Sequence, residues 1–139
     1  MNEIDDIIER LEEALEDGVT VDEFDYEAEN YMQELDESGA GFDAVEPLLR
    51  FMERHPMADF DTAGAVVRYA EQFFGRGYEG ALMKSVSRRP TLNTVRMLAR
   101  VMGFAKENDQ DYEPFEDVLI DVLNSDFEDE IKDSVRELI

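Results

Sequence analysis

LMKSVSRRPTLNTVRMLAR, residues 82–100, decides the fold, because it places a helix end directly before a helix start. Pro90 lacks the amide hydrogen that a helix interior needs, and the residue before a proline avoids the α region. The hydroxyl of Thr91 can then accept a hydrogen bond from an unpaired amide near Thr94, as helix N-caps do. The segment predicts one short helix over residues 78–87 and another that begins after Thr91.

Apolar residues recur at helical spacing on both sides of this segment. They predict six further helices, over residues 4–15, 20–38, 42–52, 60–74 and 114–123 and from residue 126 onward. Ala63 belongs to the buried stripe of the fourth helix, and no stretch has the alternation of a strand. The prediction is an all-α chain of about eight helices in one domain, residues 1–139. The last six helices group into pairs, 42–74, 78–105 and 114–139, which predicts a HEAT-like stack of antiparallel hairpins; a compact irregular helical bundle is the alternative.

Acidic residues dominate the composition, with 36 Asp and Glu against 13 Lys and Arg and a net charge of −23. The net charge is −15 over residues 1–38, −3 over 39–75, +5 over 76–107 and −10 over 108–139. Such a surface repels nucleic acid and anionic lipid and attracts basic proteins, so neither nucleic acid nor a membrane is an expected partner. The alternative is that the acidity serves solubility. In the basic block, we expect Arg88, Arg89, Arg96 and Arg100 to pair with acids of neighbouring helices.

The chain has no cysteine and no long apolar run, and its first residues are acidic, which together predict a cytoplasmic protein.

Residues 75–80 read GRGYEG, but a helix precedes them where a dinucleotide site needs a strand, so the glycines predict a helix stop and a turn. His55, the only histidine, precedes a proline at a predicted helix end. Residues 109–120 start like a calcium loop but have Pro114 and Ile120 where glycine and glutamate are needed. We expect no enzyme, no cofactor and no metal site.

Two acidic clusters with interleaved aromatic residues are the candidate partner-binding residues, since aromatic anchors within a charged rim are typical of protein interfaces. The first cluster lies on the second predicted helix and the second lies in a predicted loop. A solvated helix face is the alternative reading of the first cluster. The candidates are Asp22, Glu23, Asp25, Tyr26, Glu27 and Glu29 in the first cluster, and Asp109, Asp111, Tyr112 and Glu113 in the second.

Residues 82–100 also resemble a pattern, L-x-x-S-x-x-R-x-P-T-x-x-T-x-x-M-L-x-R, of small helical immunity proteins from bacterial polymorphic toxin and contact-dependent inhibition systems. The resemblance covers about 20 of the 139 residues. It implies a cytosolic antidote that binds and neutralises a cognate toxin protein, and the charge suggests that the toxin is basic, as nucleases are. The alternative function is an acidic DNA mimic or adaptor that captures a basic host protein. The sequence leaves the oligomeric state open.

Overall fold

The computed structural model describes residues 3–15, 18–61 and 64–139, and within these ranges the protein is all-helical, with eight α-helices and no strand. This confirms the predicted fold class. None of the described helices is both long and apolar enough to cross a bilayer. The helices are α1 (Glu3–Ala14), α2 (Val21–Ser38), α3 (Val45–Arg54), α4 (Ala65–Glu71), α5 (Tyr78–Arg88), α6 (Leu92–Glu107), α7 (Glu113–Leu123) and α8 (Asp129–Leu138), and a 3₁₀ turn, Gly41–Ala44, precedes α3.

The predicted boundary between α5 and α6 is confirmed. The Thr91 hydroxyl accepts a hydrogen bond from the Thr94 amide at 3.0 Å, and the Thr94 hydroxyl accepts one from the Thr91 amide at 3.1 Å. A second reciprocal cap of this kind begins α2, where Thr20 and Glu23 exchange hydrogen bonds of 3.1 and 3.2 Å. Both helix starts are therefore fixed by side chains that satisfy amides with no partner inside the helix.

The predicted start of the fourth helix at residue 60 is wrong. Phe60 lies in an extended loop, where its amide donates to the Asn93 side chain of α6 at 3.1 Å, and α4 begins only at Ala65. Residues 62 and 63 lie outside the described residues, so the predicted burial of Ala63 stays a prediction. The helix also ends early, at Glu71, before the turn at Gly75.

The predicted start of the last helix at residue 126 is also displaced. The Ser125 hydroxyl donates to the Val122 carbonyl at 2.6 Å and accepts from the Phe127 amide at 3.3 Å. These bonds form a turn, and α8 begins at Asp129.

Buried side chains from all eight helices form one continuous apolar cluster. The odd-numbered helices contact each other in chain order, α1 to α3 to α5 to α7, while α2 contacts α4 and α6 contacts α8. Within the predicted pairs, α5 contacts α6 and α7 contacts α8, whereas α4 packs more extensively against α2 than against α3. Helices α1 and α2 also pack together. Stacked hairpins would produce most of these contacts, and the HEAT-like geometry itself stays a prediction.

All four arginines of the basic segment form ion pairs, and the predicted pairing with acids of neighbouring helices is confirmed for Arg88 and Arg100, whereas the partners of Arg89 and Arg96 lie just outside the helices. Arg88 forms hydrogen bonds of 2.8 and 2.5 Å with Glu53 of α3, and Arg89 forms bonds of 2.7 and 2.6 Å with Glu128 before α8. The other two pairs are Arg96 with Asp59, at 3.9 Å, and Arg100 with Glu71. The segment that decides the fold thus ties α5 and α6 to helices and loops on both sides.

Candidate partner-binding surface

The first candidate cluster occupies the first half of α2, after its N-cap at Thr20. Apolar Phe24 and Ala28 point into the core, Tyr26 and Glu27 between them are exposed, and Asp25 is half-buried. Tyr26 is 77% exposed, which is unusual for an aromatic side chain, and it has acidic residues on either side in the chain. The predicted pattern of a charged surface with an exposed aromatic is present on this helix.

Three carboxylates of this cluster, however, form contacts within the protein. Glu23 closes the capping box of α2. Asp25 accepts a hydrogen bond from the Ala65 amide at 2.7 Å and so satisfies an amide in the first turn of α4. Glu29 pairs with Arg68 of α4 at 2.5 Å, and both side chains are more than half exposed. Asp22, Tyr26 and Glu27 have no such contact with the described residues and are the part of the cluster that a partner can reach directly.

Glu27 also lines a groove of about 320 Å³ between α1 and α2. Glu13 and Glu23 line the same groove, so three carboxylates share one concave surface. The guanidinium of Arg10 lies at its edge, where it pairs with Asp6 at 3.0 Å and with Glu34 at 2.8 Å. The groove therefore keeps an excess of negative charge.

The second candidate cluster lies in the connection between α6 and α7, except for Glu113, which is the first residue of α7, and all four of its residues are exposed. The Gln110 amide donates to the Ala105 carbonyl at 2.8 Å, which folds the connection back onto the end of α6. Asp111 accepts from the Glu113 amide at 3.1 Å at the start of α7, and the Lys106 ammonium lies 4.8 Å from the centre of the Tyr112 ring. Asp109 adopts a positive φ of 55°. Hydrogen bonds and the ring contact thus hold this loop in place.

Sequence reasoning missed two aromatic residues near the second cluster. Phe74, in the turn after α4, and Phe104, on α6, meet edge to face with ring centroids 4.7 Å apart, and they are 37% and 41% exposed. The sequence carried no signal that separates Phe104 from the buried stripe of α6, because Phe104 follows the buried residues Met97 and Val101 by seven and three positions, which is helical spacing. Its partial exposure depends on how α6 packs against the rest of the protein.

Most of the positive charge, in contrast, is paired with carboxylates of the protein itself. Among the described residues, every arginine except Arg76 forms an ion pair with a carboxylate, and Arg76 donates to the Gln72 carbonyl at 2.8 Å and lies over the Phe73 ring. Acidic residues outnumber basic ones almost three to one, so most of the remaining carboxylates have no cation beside them. The charge that the surface offers to a partner is therefore negative.

Perturbed pKa values occur at ion pairs and at buried groups that pack between helices. The Arg89 guanidinium lowers the pKa of Glu128 to about 2 by hydrogen bonding to its carboxylate. Burial raises the pKa of Glu71, and the neighbouring Arg100 only partly offsets this. Burial also raises the pKa of Tyr78, whose hydroxyl is enclosed and has no hydrogen-bond partner among the described residues. These shifts accompany ion pairs and burial that hold helices together.

The chemistry on this surface suits recognition of a cationic protein surface. Among the described residues, no group of three His, Cys, Asp or Glu side chains is placed to hold a metal ion. Carboxylates and exposed aromatic rings can accept hydrogen bonds from lysine and arginine and can pack against their stems. In comparisons with known proteins, no family model, no curated protein and no solved structure matches the chain.

Proposed function

We propose that this chain is an immunity protein that acts in the cytoplasm by binding and neutralising a basic toxin domain through its acidic surfaces. One observation carries the proposal. Among the described residues, most arginines pair with carboxylates of other helices or loops, whereas Asp22, Glu27, Asp109 and Glu113 are exposed and form no ion pair. The surface is therefore built to attract positive charge.

The expected mechanism is electrostatic capture followed by occlusion. Toxin domains that act on nucleic acid need a basic cleft to bind phosphates. Carboxylates at the surface of this chain would steer such a domain into contact and occupy that cleft in place of the substrate. The association rate should therefore fall steeply as salt is added.

The residues that resemble the immunity-protein pattern support the proposal in an indirect way. Ser85, Thr91 and Thr94 are fully buried, and each forms a hydrogen bond within the fold. Arg88 and Arg100 pair with carboxylates of other helices. A pattern made of such residues specifies the scaffold, which leaves the exposed residues outside it to recognise different toxins.

The test is co-expression with the protein encoded beside this chain's gene, if that protein is toxic when expressed alone. We expect this chain to restore growth and to form a one-to-one complex in size-exclusion chromatography with light scattering. Reversing Asp22, Glu27, Asp109 and Glu113 to lysine should slow association at least about tenfold at low salt. The matched control reverses Glu3, Glu9, Glu116 and Asp117, which changes the net charge equally outside both clusters.

Two outcomes would count against the proposal. Unchanged binding after reversal of the two clusters would exclude the acidic-surface mechanism. Growth arrest that persists despite full expression of this chain, together with tight binding to a basic host protein, would favour the adaptor function instead.

A further inference from the structure

We propose that the aromatic pair Phe74–Phe104, together with the acidic connection at residues 107–113, is the anchoring part of the partner-binding surface and takes a cationic amphipathic segment. Such a segment presents apolar side chains flanked by lysine or arginine. The inference rests on the proposed function, because it names the chemistry of the segment that the proposed partner would contribute. It adds an apolar anchor that charge alone does not supply.

The apolar component is a pair of rings exposed side by side. Phe74 and Phe104 come from different elements, the turn after α4 and the last turns of α6, and their edge-to-face contact leaves both more than a third exposed. Tyr112, 36% exposed, follows on the connection that folds back onto α6. Large aromatic side chains supply much of the energy of protein interfaces, and exposing two together favours a partner that covers them.

Both rings are held in place before any partner arrives. Phe104 belongs to a helix of 16 residues whose first turn is fixed by the Thr91 cap. The turn that carries Phe74 is closed by Gly75, which has a φ of +76°, and the Glu79 carboxylate accepts from the Gly75 amide at 2.9 Å. An anchor that is already ordered loses little conformational entropy on binding.

The charges around the rings indicate the sign of the partner. The three nearby cations are engaged, because Arg100 pairs with Glu71, Lys106 lies over the Tyr112 ring and Arg76 donates to a carbonyl. Only the charge of Arg100 is balanced by a carboxylate, because an aromatic ring or a neutral carbonyl leaves the charges of Lys106 and Arg76 in place. The four carboxylates of residues 107–113 outnumber these two cations, so the charge next to the rings is negative overall.

The carboxylates at the end of α6 and in the connection that follows it form no ion pair among the described residues. Glu107 lies three residues after Phe104 and so on the same side of α6. Glu107, Asp109 and Glu113 are exposed and pair with no cation in the described part of the chain. The surface thus combines apolar rings with unneutralised negative charge, which complements a cationic amphipathic segment and repels a phosphate backbone.

The test uses two synthetic peptides of equal length and equal positive charge. One is an amphipathic helix of lysine and leucine, and in the other every leucine is replaced by serine. Binding is measured by fluorescence anisotropy at low and at physiological salt. We expect the protein to bind the leucine peptide at least about tenfold more tightly than the serine peptide.

The Phe74→Ser/Phe104→Ser variant should lose most of this preference and should still bind the serine peptide as the wild type does. Ile120→Ser is the matched control, since Ile120 is 38% exposed on α7 and lies outside the pair. Circular dichroism melts check the fold of each variant. If the double variant is unfolded, Phe104→Gln, a single change at an exposed helix position, is measured in its place. We expect this variant also to lose preference for the leucine peptide.

Two failures can be told apart. A leucine preference that survives in the folded Phe variants, or that is equally lost in Ile120→Ser, would overturn the anchor and leave the proposed function standing. Serine-peptide binding that is unaffected when Glu107, Asp109 and Glu113 are all changed to their amides would overturn the electrostatic part, on which the proposed function depends.

Discussion

Asn93 is fully buried at the start of α6, and both ends of its amide bind backbone groups of the loop before α4. Its side-chain NH₂ donates to the Ala58 carbonyl at 2.6 Å, and its oxygen accepts from the Phe60 amide at 3.1 Å. Asn93→Ala would leave the buried Phe60 amide and the half-buried Ala58 carbonyl without this partner, so we expect a loss of about 2–4 kcal/mol in the free energy of unfolding. Urea denaturation measures this loss.

Asn30→Ala is the control for this change, because Asn30 is exposed on α2. There alanine should be neutral or slightly stabilising, since it is the better helix former. If Asn93→Ala cost no more than Asn30→Ala, the amide would not be holding the loop.

Tyr78 presents the opposite case, a buried hydroxyl without a hydrogen-bond partner in the described part of the chain. Taking a hydroxyl out of water without compensation costs roughly 1–3 kcal/mol. We therefore expect Tyr78→Phe to leave the free energy of unfolding unchanged or to raise it by up to about 1 kcal/mol. Thermal denaturation of the two proteins decides this, and a clear loss of stability would mean that a buried water serves the hydroxyl.

The two reciprocal caps, at the starts of α2 and α6, allow the stability contributions of a buried and an exposed cap to be compared in one protein. Thr91 is fully buried, whereas Thr20 is exposed. Replacing either with alanine removes the acceptor for an amide in the first helical turn, but water can replace the hydroxyl only at Thr20. We expect Thr20→Ala to cost about 0.5–1 kcal/mol and Thr91→Ala about 2 kcal/mol, as measured by urea denaturation. Equal losses would contradict the role of burial.

The link between α5 and α8 through Arg89 and Glu128 should respond to acid. The folded protein holds the pKa of Glu128 at about 2, below its ordinary value of 4.5. A carboxylate with a lowered folded pKa contributes stability above its unfolded pKa and loses that contribution as the pH falls from 4.5 towards 2. Because Arg89 and Glu128 are 25% and 37% exposed, solvent screening limits the contribution to about 1 kcal/mol.

Glu128→Gln should therefore be less stable than the wild type near neutral pH and should approach it in acid. Urea denaturation at a series of pH values measures the difference. Asp133→Asn, which removes an exposed pair with Arg136 within α8, is the control. A difference between Glu128→Gln and the wild type that stayed constant through the acid range would argue against the pair as its source.

At the level of the elements, local patterns predicted the helices whose ends are fixed by neighbouring residues. Thr20, Thr91 and Pro90 act within three or four residues of themselves, so the boundaries of α2, α5 and α6 could be predicted. The start of α4 could not, because the Phe60 amide is bound by Asn93, 33 positions away. Contacts between distant residues override a local apolar pattern.

At the level of the whole molecule, the sequence identified the acidic clusters but not which of their carboxylates a partner could reach. Asp25 and Glu29 resemble Asp22 and Glu27 in the sequence, yet the first two bind α4 and the last two do not. Phe74 and Phe104 become one surface only when the turn after α4 meets the end of α6. Both facts depend on packing between helices. The apolar periodicity within one helix carries no information about that packing.

The net charge of −23 should also make the stability of the whole molecule depend on salt. Among the described residues, ten carboxylates form ion pairs with arginine, and most of the others repel one another across the surface. Added salt shortens the range of this repulsion from about 10 Å at 0.1 M to about 3 Å at 1 M, whereas close pairs are screened less. We expect the melting temperature to rise with sodium chloride, and a fall would mean that the ion pairs outweigh the repulsion.

The groove between α1 and α2 allows the source of this effect to be located. Glu13→Gln/Glu27→Gln removes two exposed carboxylates that share the groove, so it should raise the melting temperature at low salt and reduce the gain from added salt. Glu34→Gln also removes negative charge from α2 but takes a partner from Arg10, so it should not stabilise. If the groove variant is stabilised and Glu34→Gln is not, the carboxylates of Glu13 and Glu27 destabilise the free protein. A basic partner would then relieve the same repulsion that salt relieves, and binding would stabilise the fold.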